Sequence, residues 1–172
     1  GDKAPRAPYM ERMSDPNKIR DTILAEALRI APFEGWTELT LKRAVRAADL
    51  PDGAAELYFD GGVKSLLDYW STQMDAAAEA QIAALDLPNL KIRERVTQGV
   101  LARLTAMGRH EEAARRASSR LVLPDMAGTG LAQIWRSADM IWRAIGDTST
   151  DANFYSKRTI LSGVIASTLP VW

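Results

Sequence analysis

The side chains that most often perform catalysis or bind metals are scarce in this sequence of 172 residues. It contains one histidine and no cysteine, which excludes disulfides, thiolate metal sites and cysteine nucleophiles. His110 lies beside Glu111 and Glu112 at a predicted helix start, and no second histidine stands at the spacing of a zinc or di-iron site. We therefore expect no metal and no catalytic cofactor, and interpret His110 as a solvated first-turn residue.

Glycine-rich motifs give no stronger indication of catalysis. The segment Gly128-Thr129-Gly130 has half of a dinucleotide-binding fingerprint, but the third glycine is missing and no strand precedes it. The sequence contains no phosphate-binding P-loop and no Gly-x-Ser-x-Gly motif. We expect a protein that is not an enzyme.

The elements that position the remaining residues are all predicted to be helices. Apolar residues recur at helical spacing along most of the chain, and no segment alternates with period two. Asp15-Pro16 predicts the first helix start, Thr40 the cap of the second helix, and Gly108 the end of a later one. Two later buried stripes are predicted from spacing: Ile92, Val96, Val100, Leu104 and Met107, then Leu131, Ile134, Ala138, Ile141 and Ile145.

These helices predict an all-α protein of about eight helices in three regions. Residues 1–14 contain two prolines and no apolar period, and are interpreted as a flexible tail. Residues 15–62 form a head with the order of a helix-turn-helix module, and residues 63–172 form a helical bundle.

The head resembles the N-terminal module of TetR-type repressors. The resemblance rests on Ala25, Leu28, Gly35-Trp36, Thr40-Leu41, Ala44 and Leu57-Tyr58-Phe59. It implies a TetR-like fold, and with it the alternative function of a transcriptional regulator that binds DNA and an apolar effector.

The distribution of charge argues against DNA binding. The chain is neutral overall, but residues 31–90 hold four bases and ten acids, a net charge of −6. The segment in the position of a recognition helix, residues 51–60, carries Asp52, Glu56 and Asp60 and no base. Because a reading helix must approach phosphates, three carboxylates would repel DNA. We expect no DNA partner.

A more specific pattern lies near the C-terminus. The run Gly146-Asp-x-Ser-x-Asp151-x-Asn153-x-Tyr155-x-Lys157-Arg158, with the preceding Trp142, resembles the Coq-nine family of ubiquinone (coenzyme Q) biosynthesis accessory proteins. The resemblance extends in order over most of residues 16–170.

The resemblance implies a TetR-like fold that serves lipid binding. Such proteins bind an isoprenoid lipid or phospholipid in a helical pocket and assist the di-iron demethoxyubiquinone hydroxylase. The resemblance also implies a homodimer, and an amphipathic helix beyond the position of Trp172 that meets the membrane surface. We expect that helix to be missing here. The implied location is peripheral to the inner membrane in a bacterial cytoplasm, or the mitochondrial matrix in a eukaryote.

Three sets of candidate residues follow. The structural signature is Asp147, Asp151, Asn153, Tyr155, Lys157 and Arg158, interpreted as a polar network between two helices or as direct ligand contacts. Partner docking is assigned to Met140, Ile141, Trp142 and Arg143, with core packing as the alternative. Lipid binding is assigned to Trp70, Met74, Met107, Leu121, Leu161 and Ile165, which would line an apolar tunnel or close into a dry core.

The leading hypothesis is an accessory protein that presents an isoprenoid quinone precursor to the hydroxylase. The alternatives are the regulator described above and a helical scaffold that dimerises through its last two helices.

Overall fold

The computed structural model describes residues 15–146 and 152–168, although the side chains of residues 152–155 and 168 are not described. The described residues form eight α-helices and one short 3-10 helix, and no strand. The all-α prediction is confirmed. The predicted tail, residues 1–14, lies outside the described residues. The chain divides into two compact units, one ending at Leu67 and the other beginning at Asp68.

The first unit contains helices α1 (Pro16–Glu34), α2 (Glu38–Ala47) and α3 (Ala54–Tyr58). Helix α1 begins where predicted, because the Asp15 side chain accepts a hydrogen bond from the backbone N–H of Asn17. It ends at Glu34, and the following Gly35 is its C-cap, with a φ of 74° that suits glycine and an N–H that donates to the Ala31 carbonyl.

The start of α2 differs from the prediction. Thr37, not Thr40, is the N-cap, and its hydroxyl accepts from the backbone N–H of Thr40. Thr40 is buried in the first turn and donates to the Gly35 carbonyl at 2.6 Å. The prediction of Thr40 as the cap was wrong because two threonines three residues apart form a reciprocal capping box, which starts the helix three residues earlier.

The remaining helices are α4 (Val63–Ala83), α5 (Ile92–Met107), α6 (Glu111–Leu121), α7 (Ala127–Ala144) and α8 (Ala152–Thr168). The 3-10 helix Leu87–Asn89 lies between α4 and α5. Helix α4 begins in the first unit and ends in the second. None of these helices, within the part of the chain described, is long and apolar enough to cross a membrane.

The core of the second unit is built from α4, α5, α7 and α8. Its buried members are Ala78, Ile82, Ala102, Ala138, Ile141, Ile145, Leu161 and Ile165. Helices α7 and α8 pack along each other, and α5 and α6 also contact α7.

The buried face of α5 is rotated from the predicted stripe. It consists of Gly99, Ala102, Arg103 and Met107, while Ile92 is 57% exposed. Gly99 explains the rotation, because a Cβ atom there would lie 2.5 Å from Cγ2 of Ile141 on α7. The smallest residue of α5 therefore faces α7, and the predicted burial of Ile92 was wrong.

The predicted burial of Leu131 on α7 was also wrong, since this side chain is 69% exposed. Its neighbour Gly130 is buried instead, where a Cβ atom would lie 3.2 Å from Cβ of Leu121. Close approach between α6 and α7 thus selects the glycine for the inner face.

Candidate functional site

Helices α7 and α8 are joined by a carboxylate that binds two arginines. Asp139 Oδ1 accepts from Nε of Arg158 at 2.6 Å, and Oδ2 accepts from Nε of Arg143 at 2.8 Å. Arg158 is only 1% exposed, whereas the Arg143 side chain is 65% exposed. The buried Arg158 therefore holds the two helices together, and the exposed Arg143 satisfies the second oxygen of the carboxylate.

The two arginines set the protonation of Asp139. Partial burial acts to raise the pKa of this carboxyl, but the hydrogen bonds and charges of Arg158 and Arg143 outweigh it and hold the pKa below its ordinary value. Asp139 is therefore ionised at neutral pH and stabilises the pair of helices as a carboxylate.

Trp142 lies beside this carboxylate and also spans the two helices. Its indole N–H donates to the Lys157 carbonyl at 2.9 Å, and the Lys157 ammonium lies 5.4 Å from the centre of the Trp142 ring. We call the set Asp139, Trp142, Arg143, Lys157 and Arg158 the α7–α8 junction. It contains residues from both the predicted docking set and the predicted signature.

The four predicted docking residues differ in exposure. Ile141 is completely buried against Gly99. Met140 and Trp142 are half-buried and pack on the core, and Arg143 is exposed. Trp142 and Arg143 therefore offer the surface that a partner could contact, whereas Ile141 belongs to the buried core.

Part of the predicted signature falls outside this description. Asp147 and Asp151 lie outside the described residues. Asn153 and Tyr155 are in α8, but their side chains are not described. Among the described signature residues, Lys157 and Arg158 both belong to the junction.

The predicted lipid-binding residues are mostly buried but are not all in one cluster. Leu161 and Ile165 on α8 belong to the second unit's core. Trp70 and Met74 are buried one turn apart on α4, and Met107 is buried near the end of α5. Leu121 is half-buried at the end of α6, against Gly130.

A buried ion pair connects α4 and α5. Arg103 Nε donates to Asp75 Oδ1 at 2.8 Å, and both side chains are 9% exposed. The hydroxyl of Ser137 on α7 donates to the same oxygen at 2.7 Å. Burial lowers the pKa of Arg103, and the Asp75 carboxylate opposes that shift.

The ion pair continues to the surface through further polar residues. Gln133 donates to Asp68 Oδ1 at 2.7 Å, and Arg136 lies 3.9 Å from Asp68 and 3.8 Å from Asp75. Asp68 and Arg136 have side chains 43% and 46% exposed. We call the set Asp68, Ser71, Asp75, Arg103, Gln133, Arg136 and Ser137 the polar cluster.

Sequence reasoning missed the polar cluster and Asp139. The prediction for α5 considered only apolar residues for its inner face and made no statement about Arg103. The available signal was spacing, since Arg103 stands four residues after Gly99 and four before Met107, on one face of the helix. For Asp139, the signal was its i,i+4 spacing to Arg143.

His110 does not take part in either site. It precedes α6, and partial burial together with the charge of Arg109 lowers its pKa. No group of three His, Asp or Glu residues that could hold a metal ion occurs among the described residues.

The two arginines of α2 are paired with acids. Arg43 on α2 pairs with Glu34, and Arg46 pairs with Asp52 at 3.3 Å. Glu38 accepts from the Val63 N–H at 3.1 Å, which satisfies a backbone donor at the start of α4. This carboxylate also requires Gly62, because a Cβ there would lie 2.6 Å from its oxygens.

These features define a class of protein: an all-α chain with a three-helix head and a helical body whose last two described helices are locked together by a buried arginine.

Comparison with known proteins narrows that class. The COQ9 family model matches residues 127–172, a range that contains α7, α8 and the whole junction. The ubiquinone biosynthesis protein COQ9, mitochondrial, of rat is 26% identical over 157 residues, which cover 88% of this chain and 50% of the relative. The bovine protein of that name is 27% identical over 158 residues, covering 88% and 49%.

The human protein of the same name is 26% identical over 157 residues, covering 88% of this chain and 49% of the relative. The chain thus spans about half the length of the curated relatives it matches. The resemblance to the Coq-nine family predicted from the sequence is confirmed as a similarity over most of the chain.

Proposed function

We propose that this chain acts in ubiquinone biosynthesis as a lipid-binding accessory protein. Its role would be to take up an isoprenoid quinone precursor and present it to the demethoxyubiquinone hydroxylase. The observation that carries the proposal is the coincidence of two findings at one place. The COQ9 family model matches residues 127–172, and this range holds the α7–α8 junction.

The junction suits a docking surface that must keep its shape. The buried Arg158 fixes α8 on α7, and the Lys157 carbonyl and ammonium fix the Trp142 ring. An aromatic side chain held in one rotamer next to an exposed arginine loses little entropy when a partner binds. Trp142 and Arg143 are therefore the residues proposed to contact the hydroxylase.

The lipid is proposed to lie against the apolar residues of α4, α5 and α8. Trp70, Met74, Met107, Leu161 and Ile165 supply large apolar side chains, and methionine adapts its shape to irregular ligands. Leu121, half-buried at the end of α6, would contact the edge of the bound lipid.

Mass spectrometry of lipid extracted from the purified protein tests the proposal. We expect an isoprenoid quinone precursor or a phospholipid to co-purify, and an added quinone analogue to bind. Protein that is consistently empty and that binds no added analogue would contradict the lipid role.

The alternative of a DNA-binding regulator is not proposed. Arg43 and Arg46 are the cations on α2 that could approach a DNA backbone together with Lys42, and both are already paired with acids. Detection of salt-sensitive binding to an operator palindrome would revive this alternative.

A further inference from the structure

Helices α5 and α7 contact each other along their length in antiparallel directions. Gly99 on α5 lies against Ile141 on α7, since a Cβ atom at Gly99 would be 2.5 Å from Ile141 Cγ2. One turn later on α5, Arg103 Nε donates to the hydroxyl of Ser137 at 3.4 Å, and Ser137 is one turn earlier on α7. Because the contact moves forward on one helix and backward on the other, the next contact is expected one turn before Gly99 and one turn after Ile141.

Arg95, one turn before Gly99, makes that contact at the end of α7. Its Nε donates to the Leu90 carbonyl at 3.0 Å, and its Nη1 donates to the Ile145 carbonyl at 3.3 Å. The side chain is half-buried and lies beside Gly146, where a Cβ atom would be 3.9 Å from Nη1. One guanidinium thus joins the segment before α5 to the end of α7.

The C-terminal end of α7 needs such a partner. The last carbonyl groups of a helix have no N–H partner within the helix, and their partial negative charge attracts a cation. The Ile145 N–H donates to the Ile141 carbonyl, and the Gly146 N–H donates to the Arg143 carbonyl. The Ile145 carbonyl itself accepts from Arg95. This arginine therefore limits the fraying of the last turn of α7.

The same turn carries the proposed docking residues, Trp142 and Arg143. From the side of α8, the Lys157 carbonyl holds the Trp142 indole at 2.9 Å. From the side of α5, Arg95 holds the backbone that follows these residues. The orientation of the docking surface therefore depends on contacts with both neighbouring helices.

We propose that Arg95 is a positioning residue for docking of the hydroxylase. It fixes the last turn of α7, and through that turn it holds the Trp142 side chain in the orientation that the partner contacts. A side chain that is ordered before binding loses little conformational entropy, so a loosened turn weakens docking. The inference rests on the proposed function and adds a residue that acts without touching the partner.

Arg95→Ala tests the assignment. Dissociation constants for the purified hydroxylase are measured on the whole chain by biolayer interferometry. We expect Arg95→Ala to weaken docking about fivefold, as the loss of one ordinary hydrogen bond predicts. Arg93→Ala is the matched control, because Arg93 is exposed in the same helix and its removal changes the charge equally. The control should change docking by less than about twofold.

A double-mutant cycle with Trp142→Ala separates positioning from a general loss of stability. If Arg95 acts through Trp142, Arg95→Ala should change docking by less than about twofold once Trp142 is replaced. An undiminished effect in that background would overturn the proposal, as would wild-type docking by Arg95→Ala alone.

Hydrogen exchange supplies a readout that needs no partner. The backbone amides of residues 141–146 should exchange faster in Arg95→Ala than in the wild type, while those of residues 127–136 should be unchanged. Unchanged exchange at residues 141–146 would contradict the hold of Arg95 on the last turn.

Arg95→Lys replaces Arg95→Ala if circular dichroism shows that the alanine variant does not fold. A lysine keeps the charge but lacks the planar fork that binds the Leu90 and Ile145 carbonyls together, so docking should weaken between about twofold and fivefold. This loss should again require Trp142.

The outcomes separate this inference from the proposed function. If Trp142→Ala weakens docking and Arg95→Ala does not, the positioning role is wrong and the docking surface stands. If the wild-type chain does not bind the hydroxylase, both are wrong.

Discussion

Arg158 is the residue on which the α7–α8 junction depends most. It is 1% exposed and its charge is matched by Asp139 at 2.6 Å. A buried cation in this position fixes geometry, because it cannot leave its partner without losing both the ion pair and its packing. Arg143 binds the other oxygen of Asp139 from the solvent side, so the two arginines are not equivalent.

The first prediction concerns this difference. We expect Arg158→Ala to lower the free energy of unfolding by about 3 kcal/mol, the lower end for a broken buried ion pair, because Asp139 retains Arg143. Arg143→Ala should cost less than about 1 kcal/mol, since its side chain is 65% exposed. Urea denaturation measures both variants, and equal losses would contradict the assigned roles.

The second prediction concerns the pH dependence of stability. The folded-state pKa of Asp139 lies below its ordinary value. Its stabilising contribution is therefore complete above the pKa of the unfolded chain, near pH 4, and is lost as the pH falls through the lower folded-state pKa. Protonation of Asp139 at low pH therefore weakens the α7–α8 junction.

Asp139→Asn tests this sign. The variant should be less stable than the wild type at pH 7, and the difference should shrink as the pH falls below about 4, the ordinary pKa of an aspartate. Unfolding free energies from urea titrations at a series of pH values give the comparison. A difference that does not change with pH would show that Asp139 acts without its charge.

At the scale of elements, glycines decide how closely the helices approach. Gly99 lets α5 come within contact distance of Ile141 on α7, and Gly130 does the same for α6 and α7 near Leu121. At both positions the neighbouring helix occupies the space that a larger side chain would need. The residues that face the neighbouring helix are therefore not the ones that apolar spacing predicts.

The third prediction is that Gly99→Ala is destabilising although alanine favours helix. Its Cβ would lie 2.5 Å from Ile141 Cγ2, and overpacking costs roughly 1–3 kcal/mol against a gain of about 1 kcal/mol in helix propensity. Gly128→Ala, which meets nothing within 4 Å, is the control and should carry no penalty. Thermal unfolding measures both, and a stabilised Gly99→Ala would contradict the close approach.

At the scale of the whole molecule, the proposed partners are the hydroxylase and a second copy of the chain. Ile160 and Val164 on α8 are 70% and 43% exposed and stand four residues apart, which suits the predicted homodimer through the last two helices. Trp142 is on α7, and its indole N–H donates to the Lys157 carbonyl of α8. Docking and dimerisation are therefore measured separately on variants of Trp142.

The fourth prediction is that Trp142→Ala weakens docking of the hydroxylase at least tenfold, because a central aromatic contact is removed. Trp142→Phe keeps most of the ring and should retain more of the binding. Co-sedimentation with the purified hydroxylase measures docking, and analytical ultracentrifugation measures the dimer. Dissociation of the dimer by Trp142→Ala would instead assign this residue to the interface between copies.

The helical fold follows from the amino-acid sequence alone, because helical spacing and caps such as Asp15 are local signals that act within a few residues. The resemblance at residues 146–158 follows from the sequence too, since a spaced run of polar residues is specific without coordinates. The start of α2 shows that even a local signal is ambiguous when two residues compete for it. Thr37 and Thr40 are both residues that commonly cap helices, and the sequence alone did not choose between them.

Which polar side chains are buried depends on how the helices pack together. Arg103 and Asp75 are 28 residues apart, and Arg158 and Asp139 are 19 apart, so no local pattern pairs them. Their burial depends on how closely α5 and α8 approach α4 and α7, and Gly99 allows part of that approach. The buried charges of this protein lie where helices contact each other, and those contacts depend on packing rather than on spacing along the chain.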